Sequence, residues 1–327
     1  MPHAFAHRES LGRDERLEYI GAVKCLLELP AQTDPSLTNG TRVRYDDFAA
    51  QHINQTMSIH ITGNFLTWHR HYIWSYEKAL RNECGYTGYL PYWNWFANQD
   101  DLSKSPVFDG SDTSMGSDGS FVEHNGSTGG GGLHIPSGKG GGCIASGPFA
   151  NQSANLGPVS PGQDGLIGVG IANKLNYNPH CVTRDLSSWL ASQIYTKEAF
   201  YNATIRDTAR DIASFQREID TQSIGLPGIH SGGHQTLSGS NSDLYSGVVD
   251  PAFYLHHSMV DHLYWMWQAL HPAHAKTISG TLTFGNAPPS RNATLDDLIE
   301  LPFLNVEPQT IASLLDTLDG PYCYIYQ

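Results

Sequence analysis

The sequence has no long run of apolar residues and is short of positive charge. Because a membrane-spanning helix needs about 18 or more consecutive apolar residues, none is expected here. The first residues also lack the apolar core of a signal peptide. Lysine and arginine together number 19 against 32 acidic residues, which gives a net charge of −13. Nucleic acids and anionic membranes both attract clustered positive charge, so neither is expected as a partner.

Two zinc motifs are missing as well. No CxxC pair occurs among the five cysteines, which disfavours a zinc ribbon, and no HExxH frame occurs, which disfavours a zinc protease. Disulfides and N-glycans belong to the secretory route. The cysteines and sequons therefore predict an extracellular, secreted protein whose signal peptide has been removed, and the alternative is a cytosolic protein with free thiols and unused sequons. The asparagines of the Asn-x-Ser/Thr sequons are Asn39, Asn54, Asn125, Asn151, Asn202 and Asn292.

The chain is long enough for one large domain, and its periodicity is mainly helical. It has 327 residues, of which 39% are hydrophobic, and apolar side chains recur at helix spacing in several segments. A long Gly/Ser-rich region at 109–170 is predicted to be an elaborated loop and not a linker, because helical segments with histidines lie on both sides of it. Little sheet is expected. The predicted helices are 14–29, 44–56, 65–83, 204–220 and 250–270.

The sixteen histidines are not scattered evenly along the chain. His52, His60 and His69 follow each other at intervals of eight and nine residues. Two in the second half are four residues apart, which puts both on one face of a helix, and a doubled histidine follows on the last predicted helix. Adjacent helices could therefore bring two groups of three imidazoles together. The candidates are His52, His60, His69, His230, His234, His256 and His257.

Ligand chemistry narrows the choice of metal for such groups. Imidazole suits zinc, copper, iron and nickel, but an iron site with two histidines and one carboxylate would leave the other histidines unexplained. Two sites of three imidazoles suit a pair of copper ions, which keep open positions for dioxygen. The alternative is that these histidines lie on the surface or form hydrogen bonds in the core.

Two segments resemble a known family. "HITGNFLTWHRHYIWSYE" and "DPAFYLHHSMVDHLYW" are similar to the two copper-binding signatures of the tyrosinase and catechol oxidase family, the type-3 copper proteins, and "YLPYWNW" and "YCY" resemble fungal members. The likeness extends from about Arg8 to Tyr324. It implies a mainly α fold, in which a four-helix bundle holds a dinuclear copper centre and is surrounded by long loops and a few short strands. It also implies a single catalytic domain over 1–327 with no C-terminal lid domain.

The resemblance assigns the copper ligands residue by residue. The first copper would be held by His52, His60 and His69. The second copper would be held by His230, His234 and the second member of the doubled pair, His257. The implied ligands are His52, His60, His69, His230, His234 and His257.

The same resemblance places neighbours of the ligands. His256 is expected at the pocket wall and Gln235 in the substrate pocket, while His71 is expected on a helix surface or behind the ligands. Asp261, four residues past the last ligand, could accept an N–H from a ligand imidazole. A salt bridge on the helix surface is the alternative for this aspartate.

Some positions depart from the family pattern. Ser58 stands where many fungal tyrosinases have a cysteine that forms a thioether, so no such cross-link can form. Ser231 stands where many tyrosinases have an asparagine, and Thr221 falls where they have a glutamate, with Glu218 three residues away. Those two family residues hold a water thought to deprotonate monophenols. Leu244 occupies the position of a gate residue, which would be partly open.

Disulfides Cys25–Cys84 and Cys143–Cys181 are predicted. The first would tie the first helix to the end of the third, and the second would close the Gly-rich loop. Cys323 then remains as a free thiol, which is expected to be buried.

The expected function is therefore a secreted oxidase, with two copper ions, that converts o-diphenols to o-quinones while dioxygen is reduced to water. The alternatives are a tyrosinase that also hydroxylates monophenols, an o-aminophenol oxidase, a haemocyanin-like oxygen carrier, and a secreted protein with structural zinc. Small phenols are the expected partners, and the chain is expected to be a monomer or weak dimer.

Overall fold

The protein is mainly helical in the computed structural model, which describes residues 3–222 and 226–327. The helices in these ranges are α1 (Arg13–Leu26), α2 (Arg44–Ile59), α3 (Phe65–Cys84), α4 (Ser188–Ile194), α5 (Lys197–Thr204), α6 (Ile212–Asp220), α7 (Ser231–Leu237) and α8 (Ala252–Leu270). Within the described ranges, none of these helices has the length and apolar character needed to cross a bilayer.

Strands are short and occur in pairs. β1 pairs with β10 in parallel, and the pairs β2–β5, β3–β4, β6–β7 and β8–β9 are antiparallel. The Gly-rich region thus contains several small hairpin-like pairs within its loops. The strands are β1 (His3–Phe5), β2 (Gly119–Phe121), β3 (Ser127–Thr128), β4 (His134–Ile135), β5 (Gly141–Ile144), β6 (Ser153–Ala154), β7 (His180–Cys181), β8 (Leu298–Leu301), β9 (Val306–Thr310) and β10 (Tyr324–Tyr326).

The core lies where α2, α3, α7 and α8 meet. Helix α3 packs against α1, α2 and α8, and α7 packs against α4, α6 and α8. Buried tyrosines join the helices on the inside: the rings of Tyr76 and Tyr254 stack with centroids 3.5 Å apart, and the Tyr72 hydroxyl donates to the Phe48 carbonyl. The predicted fold class, mainly α around a helical bundle with a few short strands, is confirmed.

Most predicted helices are present, but 204–220 is wrong as one helix. Helix α5 ends at Thr204 and α6 begins at Ile212, with a single 3₁₀ turn between them. The break is set by Asp211, whose carboxylate accepts the Ser214 N–H and caps a new helix. Helix α1 also ends at Leu26, earlier than predicted. Helix α3 ends at Cys84, and the next residue, Gly85, has a φ of 69°, the left-handed conformation that suits glycine after a helix end.

Both predicted disulfides are present. Cys25–Cys84 joins the ends of α1 and α3, and Cys143–Cys181 ties two strands of the Gly-rich region together. The prediction that Cys323 is buried is wrong, because this free thiol is exposed. Side chains alternate along an extended chain, and the neighbours of Cys323, Tyr322 and Tyr324, are the ones that face the core.

Five of the predicted sequon asparagines are exposed: Asn39, Asn54, Asn125, Asn151 and Asn292. The sixth, Asn202, is buried on α5, and its Oδ1 accepts a hydrogen bond from Arg206 Nη1 at 3.1 Å. This burial and hydrogen bond disfavour a glycan at Asn202, while glycosylation of the sequons stays a prediction.

Candidate dinuclear metal centre

The first group of histidines comes from two consecutive helices. His52 lies in α2, His60 directly follows the last residue of α2, and His69 lies one turn into α3. Their ligand nitrogens lie within 4.8 Å of one another, and all three side chains are buried. The structure thus brings together the three histidines predicted for the first copper.

Backbone carbonyls orient these three imidazoles. The Nδ1 of His52 lies 2.7 Å from the Tyr245 carbonyl, while those of His60 and His69 lie 3.0 and 2.9 Å from the carbonyls of Thr56 and Phe65, one turn earlier. A carbonyl can only accept, so each Nδ1 carries the proton. Each Nε2 is therefore left with its lone pair, as a metal ligand requires.

The second group comes from α7 and α8. His230 immediately precedes α7, His234 lies one turn later, and His257 lies in α8. Side chains orient the first two: His230 Nδ1 lies 2.6 Å from Asp220 Oδ1, and His234 Nδ1 lies 2.8 Å from Asn241 Oδ1. The Nε2 atoms of His234 and His257 face each other at 3.1 Å.

A fourth histidine, His256, falls into the same cluster by distance. Its Nδ1 accepts the indole N–H of Trp95 at 3.1 Å, so its Nε2 carries the proton and donates to the His230 carbonyl at 3.0 Å. Since both nitrogens have partners within the protein, no lone pair remains for a metal. His256 lies behind His230 and not at the pocket wall, so the expectation for it is wrong, and His257 is the member of the pair available as a ligand.

The two groups meet face to face. The rings of His69 and His257 stack with centroids 4.5 Å apart, and the ring of Phe65 lies 4.8 Å from both His69 and His230. Phe253 lies 4.2 Å from His257 and 5.2 Å from His52. An apolar shell therefore encloses the histidines of both groups and limits the access of water.

The donor atoms fit a bound metal. Among the described residues, the buried Nε2 atoms of His52, His69 and His230 have no hydrogen-bond partner, and leaving a buried polar atom unpaired costs about 1–3 kcal/mol. Burial and the neighbouring His60 lower the pKa of His52 to about 3, and burial lowers the pKa of His60 to about 4. Burial also holds the pKa values of His69, His234 and His257 well below the usual range. These five imidazoles are thus neutral over the physiological range, and an all-imidazole donor set suits copper.

A pocket of about 410 Å³ opens onto the histidines. Ser231, Gln235 and Leu244 line it, as the sequence predicted, and Thr221 and Asp220 lie in the same wall. The Ser231 hydroxyl donates to the Asp220 carbonyl, at the end of α6. Such a volume is within the range of pockets for small organic ligands.

The expected contact of Asp261 with a ligand imidazole is wrong, and one of the two positions expected for His71 is excluded. Asp261 contacts no ligand imidazole: its Oδ1 accepts from Arg70 Nε at 2.6 Å, and its Oδ2 accepts from the hydroxyls of Tyr324 and Tyr326 at 2.6 and 2.7 Å. Asp261 and Arg70 thus form a buried ion pair, and the two tyrosine hydroxyls connect the C-terminal strand to it. His71 is not on a helix surface, because it is buried and stacks on Trp74 at 5.5 Å.

Sequence reasoning missed Asp220 and Asn241, which orient two ligand imidazoles. Asp220 gave one signal, since it is an acidic residue at the end of a predicted helix ten residues before His230. Asn241 gave none, because it lies on a 3₁₀ turn whose position depends on the tertiary fold.

Comparison with known proteins gives a consistent result. A family model described as the common central domain of tyrosinase matches residues 42–270. The chain is 38% identical to Tyrosinase P of Aspergillus terreus, over 97% of this chain and 89% of that protein. It is 36% identical to the N-acetyl-6-hydroxytryptophan oxidase ivoB of Emericella nidulans, over 97% and 90% of the two chains. A solved polyphenol oxidase from Thermothelomyces thermophila superposes with a TM-score of 0.91 and 36% identity, covering 99% of this chain and 89% of that one.

Proposed function

Because the chain belongs to the tyrosinase family of copper oxidoreductases, we propose that it is a secreted oxidase that converts o-diphenols to o-quinones with dioxygen as electron acceptor. Two bound copper ions would supply the two-electron redox chemistry. The first would be held by His52, His60 and His69. The second would be held by His230, His234 and His257.

The rest of the site binds and shelters the substrate. Phe65 and Phe253 close the apolar side of the centre, which excludes water from the reacting atoms. The pocket above the histidines has room for one aromatic ring, with Leu244 at 38% exposure on its rim. A diphenol bound here presents both hydroxyls toward the histidine groups.

One observation carries the preference for diphenols over monophenols. A monophenol has a pKa near 10, so it needs a base to become phenolate at neutral pH. The Ser231 hydroxyl donates to a backbone carbonyl, Thr221 has no basic group, and Glu218 is buried outside the pocket lining. Ser231, Thr221 and Glu218 therefore offer the substrate no base that could hold a water.

A second candidate function, tyrosinase, is favoured by Asp220. This carboxylate lines the pocket, and only its Oδ1 is bound to His230. The names of two relatives, a tyrosinase and an oxidase of a hydroxytryptophan derivative, also agree with substrates that carry one hydroxyl. In this function Asp220 would serve monophenols as the base that the other three positions do not provide.

Initial rates on 4-methylcatechol and tyramine distinguish the two functions. General-base assistance is worth about 10²–10⁴-fold, so an enzyme without it should oxidise the catechol at least about 100-fold faster and act on tyramine only after a lag. Comparable rates on both substrates without a lag would contradict the diphenol oxidase and support the tyrosinase.

Secretion is supported by the two disulfides and by the exposed sequons. Disulfides persist in oxidising compartments and not in the cytosol. A drop in mass of the natural protein on enzymatic deglycosylation is the expected result, and an unchanged mass would argue against passage through the secretory route.

A further inference from the structure

A second cavity, of about 290 Å³, adjoins the active-site pocket. We call it the side cavity. The two cavities share four wall residues, so a substituent on a ring bound at the histidines could extend from one to the other. The shared residues are Ile61, Phe65, Asp220 and Thr221.

One face of α6 forms a wall of the side cavity. Ala213, Gln216, Arg217 and Asp220 line it, and their spacing of three and four residues places them on one side of the helix. Gln216 Nε2 donates to the Thr62 carbonyl at 3.1 Å and so holds this face against the loop that follows His60. The side cavity is therefore preformed.

Arg217 brings a positive charge without an ion-pair partner in the described part of the chain to this wall. It is exposed, and its guanidinium makes one weak hydrogen bond, from Nη2 to Ser214 Oγ at 3.4 Å. It makes no ion pair with any residue in the described part of the chain, whereas Arg70 and Arg184 each pair with a carboxylate at 2.6 Å. A guanidinium that has only this weak hydrogen bond and lies beside a cavity is complementary to an anionic group.

Ile61 separates the two cavities with an apolar surface. Its side chain is 53% exposed, and its φ of 51° lies in the left-handed region, which is rare for a β-branched residue. The Gly285 N–H donates to its carbonyl at 3.4 Å. Such strain is found where a fold must place a side chain at a functional site, and here it puts a branched aliphatic surface between the histidines and Arg217.

We propose that the side cavity binds a carboxylate-bearing substituent of the phenolic substrate, with Arg217 as the residue that recognises the carboxylate and Ile61 as the apolar contact of the linker. This inference rests on the proposed oxidation of o-diphenols, whose substrate class it narrows to acidic catechols with a short side chain.

The test compares an acid with its neutral ester. The wild-type holoenzyme should oxidise 3-(3,4-dihydroxyphenyl)propanoate with a KM about tenfold lower than that of the methyl ester, as expected for one charge-assisted hydrogen bond in a partly exposed site. Arg217→Gln should raise the KM of the acid about tenfold and leave those of the ester and 4-methylcatechol unchanged. Arg217→Lys should restore part of the preference.

Two further variants check the charge. Arg217→Glu should reverse the order, so that dopamine becomes a better substrate than the acid. Arg210→Gln is the matched control, because Arg210 is an exposed arginine that pairs with Asp211 at 3.6 Å and lines neither cavity. Equal KM values for acid and ester in the wild type, or equal losses for both in Arg217→Gln, would overturn the proposal.

Binding of non-reactive ligands separates this proposal from the proposed function. 3-Phenylpropanoate and 3-phenylpropanamide carry no hydroxyl, so calorimetric titration of the holoenzyme reports recognition without oxidation. The anion should bind about tenfold more tightly in the wild type and lose this advantage in Arg217→Gln. Retained anion preference without catechol oxidation would refute the oxidase alone, and oxidation without anion preference would refute the side cavity alone.

Discussion

Adjacent side chains can have unrelated roles when their hydrogen bonds differ. His256 and His257 are consecutive in α8, so their side chains point about 100° apart around the helix. Trp95 and the His230 carbonyl occupy both nitrogens of His256, which leaves it structural. His257 turns its Nε2 toward His234 and is available as a ligand. The hydrogen bonds, and not the residue type, decide which imidazole can bind metal.

Glu77 is a buried carboxyl in α3 that should make stability depend on pH. Its Oε2 accepts the Leu90 N–H at 2.7 Å, and burial raises its pKa to about 7. Between its unfolded pKa, near 4.3, and about 7, the folded state holds a proton that the unfolded state has released. The contribution of protonated Glu77 to the free energy of unfolding is therefore complete below the unfolded pKa, and it is lost as pH rises to about 7.

We expect Glu77→Gln to remove this loss. Glutamine still accepts the Leu90 N–H but cannot ionise. Between pH 4.5 and 8, the free energy of unfolding of the wild type should therefore fall by up to about 3 kcal/mol more than that of the variant. Urea unfolding across this pH range measures it, and Glu28→Gln, at an exposed position, is the control. Identical pH profiles of Glu77→Gln and wild type would show that Glu77 does not titrate in this range.

Helix α7 depends on close approach of its backbone. A Cβ built on Gly233 would lie 2.1 Å from His256 Cε1 and 2.7 Å from the Tyr195 hydroxyl. Glycine at this position lets α7 pack tightly on α8, and this packing places His230 and His234 beside His257.

Gly233→Ala should therefore destabilise the protein by about 1–3 kcal/mol through overpacking, although alanine favours helices. Gly21→Ala in α1 is the matched control, because a Cβ built there would meet nothing within 4 Å apart from its chain neighbours and the backbone of its own helix, and it should stabilise the protein by up to about 1 kcal/mol. Thermal unfolding measures both. A Gly233→Ala protein as stable as the Gly21→Ala protein would refute the need for close approach.

The predictability of each helix followed the strength of its local signal. Helices α2, α3 and α8 carry apolar residues at helix spacing and were predicted with ends within a few residues. Helix α7 has a weak local signal, because the two glycines in "SGGHQTL" lower its helix propensity. Tertiary packing, and not the local sequence, accounts for these glycines. The contacts of Asp220 and Asn241 with ligand imidazoles were missed for a similar reason, since both depend on how distant elements pack.

The chain as a whole builds one centre from two distant segments. Residues 52–69 supply one set of imidazoles and residues 230–257 the other, and the disulfide-tied Gly-rich region lies between them in sequence. Five of the six imidazoles proposed as ligands are oriented by contacts with carbonyl, carboxylate or amide oxygens. Metal binding should thus be coupled to the correct packing of both halves.

The copper content of the purified, copper-loaded chain is the most direct test of this account. The wild type should hold two copper ions per chain, and His69→Ala should hold about one and lose oxidation of 4-methylcatechol. His256→Gln should keep two, as should the control His134→Ala at an exposed position, with circular dichroism confirming that each variant is folded. Two copper ions and near-wild-type activity in folded His69→Ala, or fewer than two in the wild type, would contradict the assignment.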